Sequence, residues 1–183
     1  MKRVFCLLIF CGSGLSLFSQ SDSVALVSNI RTAANSMLES FKNKDFNSFV
    51  KYNNPNLVAM MGGENEFAGY LREEISGLKN VVFSEMKAGS VLRLVTNGKP
   101  LQCIVEQLSE LIINGQPVSS VSHLIGISID AGKTWHFADA NTASAEEIKS
   151  IIPELSPLIL IPRKKQENGV HLATLLKTYH PEY

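Results

Sequence analysis

The chain has 183 residues, with 17 Lys and Arg against 17 Asp and Glu, and 45% of its residues are hydrophobic. This length suits one domain, and the hydrophobic share is enough for a buried core. The balanced charge offers no broad basic surface for a phosphate backbone, so we do not expect nucleic acid as a partner.

The first residues have the order of a secretory signal peptide. Two basic residues precede the apolar run Val4 to Phe10, and small and polar residues follow from Gly12. The run is far shorter than the ~20 residues that span a bilayer, and no longer apolar stretch follows, so no membrane span is expected. We predict a signal peptide over residues 1–20 and a mature protein that begins between Ser19 and Asp22 and is secreted or periplasmic.

Cysteine usage predicts a fold without disulfides. Cys6 and Cys11 lie in the predicted signal peptide, so Cys103 is left alone in the mature chain and has no internal partner. We expect Cys103 to be a buried strand residue and not a nucleophile, because no neighbouring residues would lower its pKa. The fold must then rest on its hydrophobic core.

Helices are predicted in the first part of the mature chain, because apolar residues recur there at helical spacing. Asp45 can cap a short helix, and Pro55 indicates a turn after it. The segment Leu57 to Met60 is interpreted as a short strand. The three predicted helices are Asp22 to Lys42, Asp45 to Tyr52, and Glu64 to Leu78.

Strand candidates follow without a helix between them. Asn97-Gly98 and Asn114-Gly115 are hairpin signals, because a type I′ turn needs positive φ at both central residues. Consecutive hairpins predict an antiparallel meander. The four predicted strands are Val81 to Thr96, Pro100 to Asn114, Val118 to Asp130, and Thr134 to Ala140.

A C-terminal extension is predicted beyond the main domain. Ser144 to Ile152 has the capping-box spacing of a helix. Prolines then interrupt the apolar run Leu155 to Ile161, which predicts extended chain packed on the domain. The tail from Arg163 has no clear pattern. We therefore divide the mature chain into a domain over residues 21–143 and an extension over residues 144–183.

This element order resembles the NTF2-like superfamily, whose sheet wraps around its helices as a cone. The resemblance covers about Asp22 to Ala140 and includes DFNSFVKYNNPNLVAMMGG, which is similar to the region where the second helix runs into a short strand. The segment SHLIGISIDAGKTWHFADA is similar to the end of small secreted proteins of Bacteroidetes type with no assigned activity. The predicted fold class is α+β, with three helices packed on a curved antiparallel meander. No catalytic motif of the superfamily is matched, so no functional residue is carried over.

The segment SIDAGKTW, residues 128–135, matches the Asp-box of sialidases. In that device the Asp accepts backbone donors across a turn, the Gly supplies positive φ, and the aromatic residue packs beneath. Sialidases repeat it on several propeller blades, whereas this chain has one copy and is too short for a propeller. We expect Asp130, Gly132 and Trp135 to shape the last hairpin and not to bind a sugar.

A row of ionisable residues is predicted on the sheet. If both Asn-Gly turns have two residues and the last turn is centred on Ala131, Glu106 lies opposite His123, and His123 lies opposite Asp139. This face is the more apolar one, so we expect it to meet the helices. The second face would carry His136, and we expect it to contact the proline-broken segment or a second subunit. The first face also carries Arg93, Trp135 and Phe137; the second carries Leu92, Leu94, Leu101, Cys103, Val105 and Leu124.

The row favours a wetted pocket, because buried carboxylates and an imidazole are costly unless they pair or meet water. The preferred hypothesis is a binding module for a small, partly apolar molecule or for a protein partner. Its predicted ligand-lining residues are Tyr70, Arg93, Glu106, His123, Trp135, Phe137 and Asp139.

Three alternatives stay open. The resemblance to NTF2-like enzymes implies an isomerase or dehydratase, in which Glu106, His123 and Asp139 would be the acid–base groups. The row could instead be a satisfied ionic network, or a β-bulge could displace it. A scaffold that forms a homodimer through the second sheet face is the third alternative. No metal or cofactor is expected, because no pair of histidines has ligand spacing and no phosphate-loop pattern is present.

Overall fold

A computed structural model describes residues 20–140 and 145–162. Residues 1–19 of the predicted signal peptide, Ser144 of the predicted capping box and the tail from Arg163 lie outside this range. The described residues form helices and one four-stranded antiparallel sheet, which confirms the α+β fold class. None of the described helices is long and apolar enough to cross a membrane.

The predicted helices and strands are present, with one exception. Leu57 to Met60 belongs to a helix and not to a strand, because Pro55 occupies the first helical turn and the Asn54 side chain accepts a hydrogen bond from the Asn56 amide at 2.9 Å. The elements are α1 Gln20–Lys42, α2 Phe46–Lys51, α3 Pro55–Met60, α4 Glu64–Gly77, β1 Val81–Val95, β2 Leu101–Ile113, β3 Gln116–Ser128, β4 His136–Asp139 and α5 Ala145–Ile151.

The sheet has the order β1-β2-β3-β4, as a meander requires. The Asn114-Gly115 turn is confirmed as a two-residue turn, since both residues have positive φ and Ile113 pairs with Gln116. The Asn97-Gly98 prediction is wrong in its length, because Val95 pairs with Gln102 across a longer connection. Strand β1 also contains three register shifts, so its side chains do not alternate regularly between the faces.

One sheet face packs against the helices, and it is the face that was expected to contact the proline-broken segment or a second subunit. Cys103 and Val105 of β2 and Leu124 of β3 are buried with α1 residues such as Ile30 and Leu38. Burial raises the pKa of the Cys103 thiol to about 12, as expected for an inert core residue. Because α1 covers these residues, the structure does not support a homodimer through this face. We call it the helix face.

The opposite face, which we call the extension face, is covered by α5 and residues 152–162. Ile104 and Ile125 pack there against Ile148, Ile152 and Ile159. The expectation that this face would meet the helices is therefore wrong. The expectation that the proline-broken segment packs on the domain is confirmed for the described residues.

Side chains of the sheet hold the extension in place through backbone hydrogen bonds. The buried Gln102 amide donates to the Glu154 carbonyl at 2.7 Å and accepts from the Ser156 amide at 2.8 Å. Arg93 donates to the Leu158 carbonyl at 3.2 Å. These contacts satisfy backbone groups of a segment that has no regular secondary structure.

The connection between α2 and α3 lies along the outer edge of β4. The Phe137 amide donates to the Tyr52 carbonyl at 2.7 Å, and the Asn54 amide donates to the Phe137 carbonyl at 2.8 Å. This short parallel bridge pairs the free edge of β4. It also brings the end of α2 beside the Asp-box loop.

Candidate functional site

The Asp-box loop is built around one carboxylate. Asp130 accepts hydrogen bonds from the Thr134 amide at 2.9 Å, the Thr134 hydroxyl at 2.8 Å, the Ser128 hydroxyl at 2.8 Å and the Lys133 amide at 3.1 Å. These donors, the Thr134 amide first, lower the pKa of Asp130 to about 2. The structural interpretation of the Asp-box is confirmed, because every one of these donors belongs to the Asp-box segment 128–135 itself.

Gly132 joins the loop to the first helix. It has a φ of 86°, and a Cβ at this position would overlap the Leu26 side chain of α1. Its carbonyl accepts a hydrogen bond from the Trp135 indole at 3.1 Å and another from the side-chain amide of Asn29 at 3.3 Å. Trp135 is only 2% exposed. The loop is therefore a fixed wall against α1.

The predicted ionisable row is divided between the two faces. Glu106 does pair with His123, as predicted. Asp139 pairs with Leu124 and not with His123, so Asp139 and Phe137 lie on the helix face. The reason is that the Asp-box loop fills 129–135 and shifts the pairing of β4 with β3 by one residue from the predicted register. This shift moves every side chain of β4 to the face opposite the predicted one. The prediction of a continuous acid–base row is wrong.

Glu106 has a local structural partner. Its carboxylate accepts a hydrogen bond at 3.0 Å from the Ser90 amide, at the point where β1 loses its register with β2. A Cβ on Gly89 would come within 3.0 Å of the Glu106 side chain. Glu106 thus supplies an acceptor to a bulge that has lost its strand pairing.

The remaining predicted site residues are dispersed. His123 is half-buried on the extension face, and Arg93 holds the extension. Tyr70 is 44% exposed on α4. Three of the seven predicted residues line a cavity described below: Phe137 and Asp139 line the smallest one, and Trp135 lines a larger one. The other four line none of the three cavities.

The smallest cavity, which we call the cone cavity, lies between the helices and the helix face. Its volume is about 80 Å³, and its walls include Phe41 of α1, Asn53, Gln107, Phe137 and Asp139. Pockets for small organic ligands usually measure roughly 300 to 1,000 Å³. The cone cavity as it stands is too small for such a ligand.

A larger cavity, the polar groove, lies between α1, the end of α2 and the Asp-box loop. Its volume is about 370 Å³. Lys51 and Lys133 line it, together with the hydroxyl-bearing Thr32 and Ser36 of α1 and the aromatic Tyr52. None of the described residues that line it is an Asp or a Glu, and neither lysine forms an ion pair with another described residue. The polar groove therefore presents donors and positive charge.

A third cavity, the apolar groove, lies between the sheet end and the start of the extension. Its volume is about 250 Å³. Ile127 and Ile129 form one side of it, and Ile152 and Pro153 lie on the extension side. Ile129 is 78% exposed, and it directly precedes Asp130. Glu154 lies at this groove and not at the polar groove.

His136 lines both the polar groove and the apolar groove. It pairs with Ile127 and so lies on the extension face, not on the second face where the sequence placed it. Sequence reasoning missed Lys51, Lys133 and Ile129 as site residues. For Ile129 and Lys133 the Asp-box motif was the available signal, since both residues belong to it.

Metal and family comparisons add two findings. Among the described residues, no group of three or more His, Cys, Asp or Glu side chains could hold a metal ion. No protein-family model matches the chain, and no curated protein matches it. The two grooves that share His136 are therefore the candidate binding site.

Proposed function

We propose that this protein is a secreted binding module of NTF2-like type that holds a small, partly apolar molecule in the polar and apolar grooves. The observation that carries the proposal is the position of His136, which lines both cavities. A ligand that passes His136 would meet donors on one side and isoleucines and prolines on the other. The polar groove by itself, without the apolar groove, has the volume of an ordinary ligand pocket.

The walls of the grooves are fixed before any ligand arrives. The loop is held by four donors to Asp130, and the Gly132 carbonyl ties it to α1 and Trp135. The extension is held by Gln102. A preformed site pays less ordering entropy when it binds, which favours affinity.

Binding fits these grooves better than acid–base catalysis. A catalytic imidazole is usually oriented by a carboxylate, and no described residue that shares the polar groove with His136 is an Asp or a Glu; Glu154 lines the apolar groove. The acid–base row that favoured an isomerase or dehydratase is divided between two sheet faces.

The NTF2-like and export parts of the proposal rest on the sequence. Helices that precede an antiparallel meander and pack on one of its faces support the NTF2-like assignment. The order of the first residues supports export. N-terminal sequencing of the mature protein should give a start between Ser19 and Asp22, and a chain that still begins at Met1 would contradict export.

A fragment screen tests the binding proposal. Trp135 is the only tryptophan of the chain and lines the polar groove, so its fluorescence reports on that site. Neutral and charged fragments should change this fluorescence, and the backbone amide shifts that they cause in NMR spectra should cluster around His136. No fragment at the grooves, or fragments only at the cone cavity beside Asp139, would contradict the proposal.

A pair of variants on one helix provides the control. Thr32→Phe places a ring in the polar groove and should abolish the fluorescence response. Ser23→Phe makes a similar change at an exposed position of α1 outside the groove and should leave the response unchanged. Equal effects of the two variants would show that the response does not come from the groove.

A further inference from the structure

We infer that the ligand class is an amphiphilic anion, a molecule with a carboxylate head and an apolar chain. The head would lie in the polar groove between Lys51 and Lys133, and the chain would pass His136 into the apolar groove. This inference rests on the proposed function and adds the chemistry of the ligand to it.

The charge of the polar groove selects an anionic head. Two lysines line it without a carboxylate among its lining residues and without an ion pair to another described residue. An ammonium group binds a carboxylate through a charge-assisted hydrogen bond. Thr32 and Ser36 add hydroxyls, which can donate to the second carboxylate oxygen.

The apolar groove selects a chain and fixes its direction. Ile127, Ile129, Ile152 and Pro153 offer it hydrocarbon contacts. Ile129 is 78% exposed on a loop whose backbone is held by Asp130, so its exposure is a stable property of this surface. Glu154 lies at this groove and would repel an anion, which places the head at the lysines and the chain beside the isoleucines.

Four probes of related shape test the ligand class: octanoate, octan-1-ol, octylammonium and acetate. Binding is followed by Trp135 fluorescence and by backbone amide shifts. Octanoate should bind at least about tenfold more tightly than octan-1-ol and octylammonium, because these two probes lack the carboxylate that pairs with the lysines. It should also bind at least about tenfold more tightly than acetate, because acetate has no chain to fill the apolar groove. Its shifts should include residues of both grooves.

Paired variants locate the two ends of the ligand. Lys51→Gln with Lys133→Gln should reduce octanoate to the affinity of octan-1-ol, whereas Lys79→Gln with Lys149→Gln makes the same charge change at exposed positions outside both grooves and should have no effect. Ile129→Gln should weaken octanoate and leave the weak binding of acetate unchanged. Leu160→Gln is its control, since Leu160 is 75% exposed and lines neither groove.

Each outcome separates this inference from the proposed function. Equal affinity for octanoate, octan-1-ol and octylammonium would overturn the anionic head and keep the grooves as a binding site. Equal affinity for octanoate and acetate would overturn the apolar chain. No binding of any of the four probes, when other fragments bind at the grooves, would overturn the ligand class alone. Absence of every fragment from the grooves would overturn the proposed function itself.

Discussion

Replacing Gly132 by alanine tests how the loop between β3 and β4 packs on α1. Two costs add in this variant. The residue has a φ of 86°, and a residue with a Cβ pays about 1 to 2 kcal/mol in the left-handed region. The new Cβ also overlaps the end of the buried Leu26 side chain, which must leave its rotamer at a cost of about 0.5 to 1.5 kcal/mol.

The expected loss for Gly132→Ala is therefore about 1.5 to 3.5 kcal/mol in the free energy of unfolding, a large part of the roughly 5 to 15 kcal/mol that a domain has. Gly115→Ala isolates the backbone cost, since Gly115 has a φ of 78° and no atom lies within 4 Å of its added Cβ. Urea denaturation of both variants measures the difference. In a Leu26→Ala background, Gly132→Ala should cost only the backbone amount. The reasoning is refuted if Gly132→Ala costs no more than Gly115→Ala, or if removing the Leu26 side chain leaves its cost unchanged.

Three further predictions concern the loop, the extension and the divided row. The pKa of Asp130 lies at about 2 in the fold against an ordinary value of 3.8, so its stabilisation is complete above about pH 5 and is lost as the pH falls through 3.8 towards 2. The urea midpoints of wild type and Asp130→Asn should therefore converge over that window. A constant gap between the two midpoints would contradict the lowered pKa. Gln102→Leu should cost about 1 to 3 kcal/mol and speed hydrogen exchange in residues 154–158, because it removes two part-buried hydrogen bonds to the backbone of the extension, while Gln116→Leu at an exposed position should do neither. Glu106→Gln and His123→Ala should leave ligand affinity within about twofold of wild type, since neither residue lines a groove; a tenfold loss in either titration would restore them as site residues.

The sequence predicted the elements well where local chemistry decides them. The periodicity of α1, the Asp45 cap of α2 and the Asn114-Gly115 turn all depend on residues close together in the chain, and each is present. Leu57 to Met60 was misjudged because the capping side chain of Asn54 outweighed the strand-like apolar run that follows.

The faces of the sheet could not be predicted in the same way. The sheet is covered on both sides, by α1 on one and by the extension on the other, so the apolar pattern did not show which face meets the helices. The position of Asp139 depended on the length of the Asp-box loop, which is set by side-chain hydrogen bonds to Asp130 and not by a two-residue turn. A one-residue error there was enough to divide the predicted row.

The candidate site lay beyond sequence reasoning for a related reason. Lys51 and Lys133 line one groove, and the connection after α2, which bridges to Phe137 along the edge of β4, brings the end of α2 beside the Asp-box loop. That contact joins parts of the chain that are far apart, and no local pattern announces it. Trp135 was predicted to line a ligand site because strand counting placed it on the face of the ionisable row. It lines the polar groove instead, where its indole donates to the Gly132 carbonyl of the Asp-box loop.

The most direct test of the central claim is a crystal structure of the mature protein purified from its own host, without unfolding, so that a carried ligand is retained. We expect electron density that passes His136, with its polar end towards Lys51 and Lys133 and its apolar end against Ile129. Density in the cone cavity beside Asp139, with both grooves free of ligand, would contradict it.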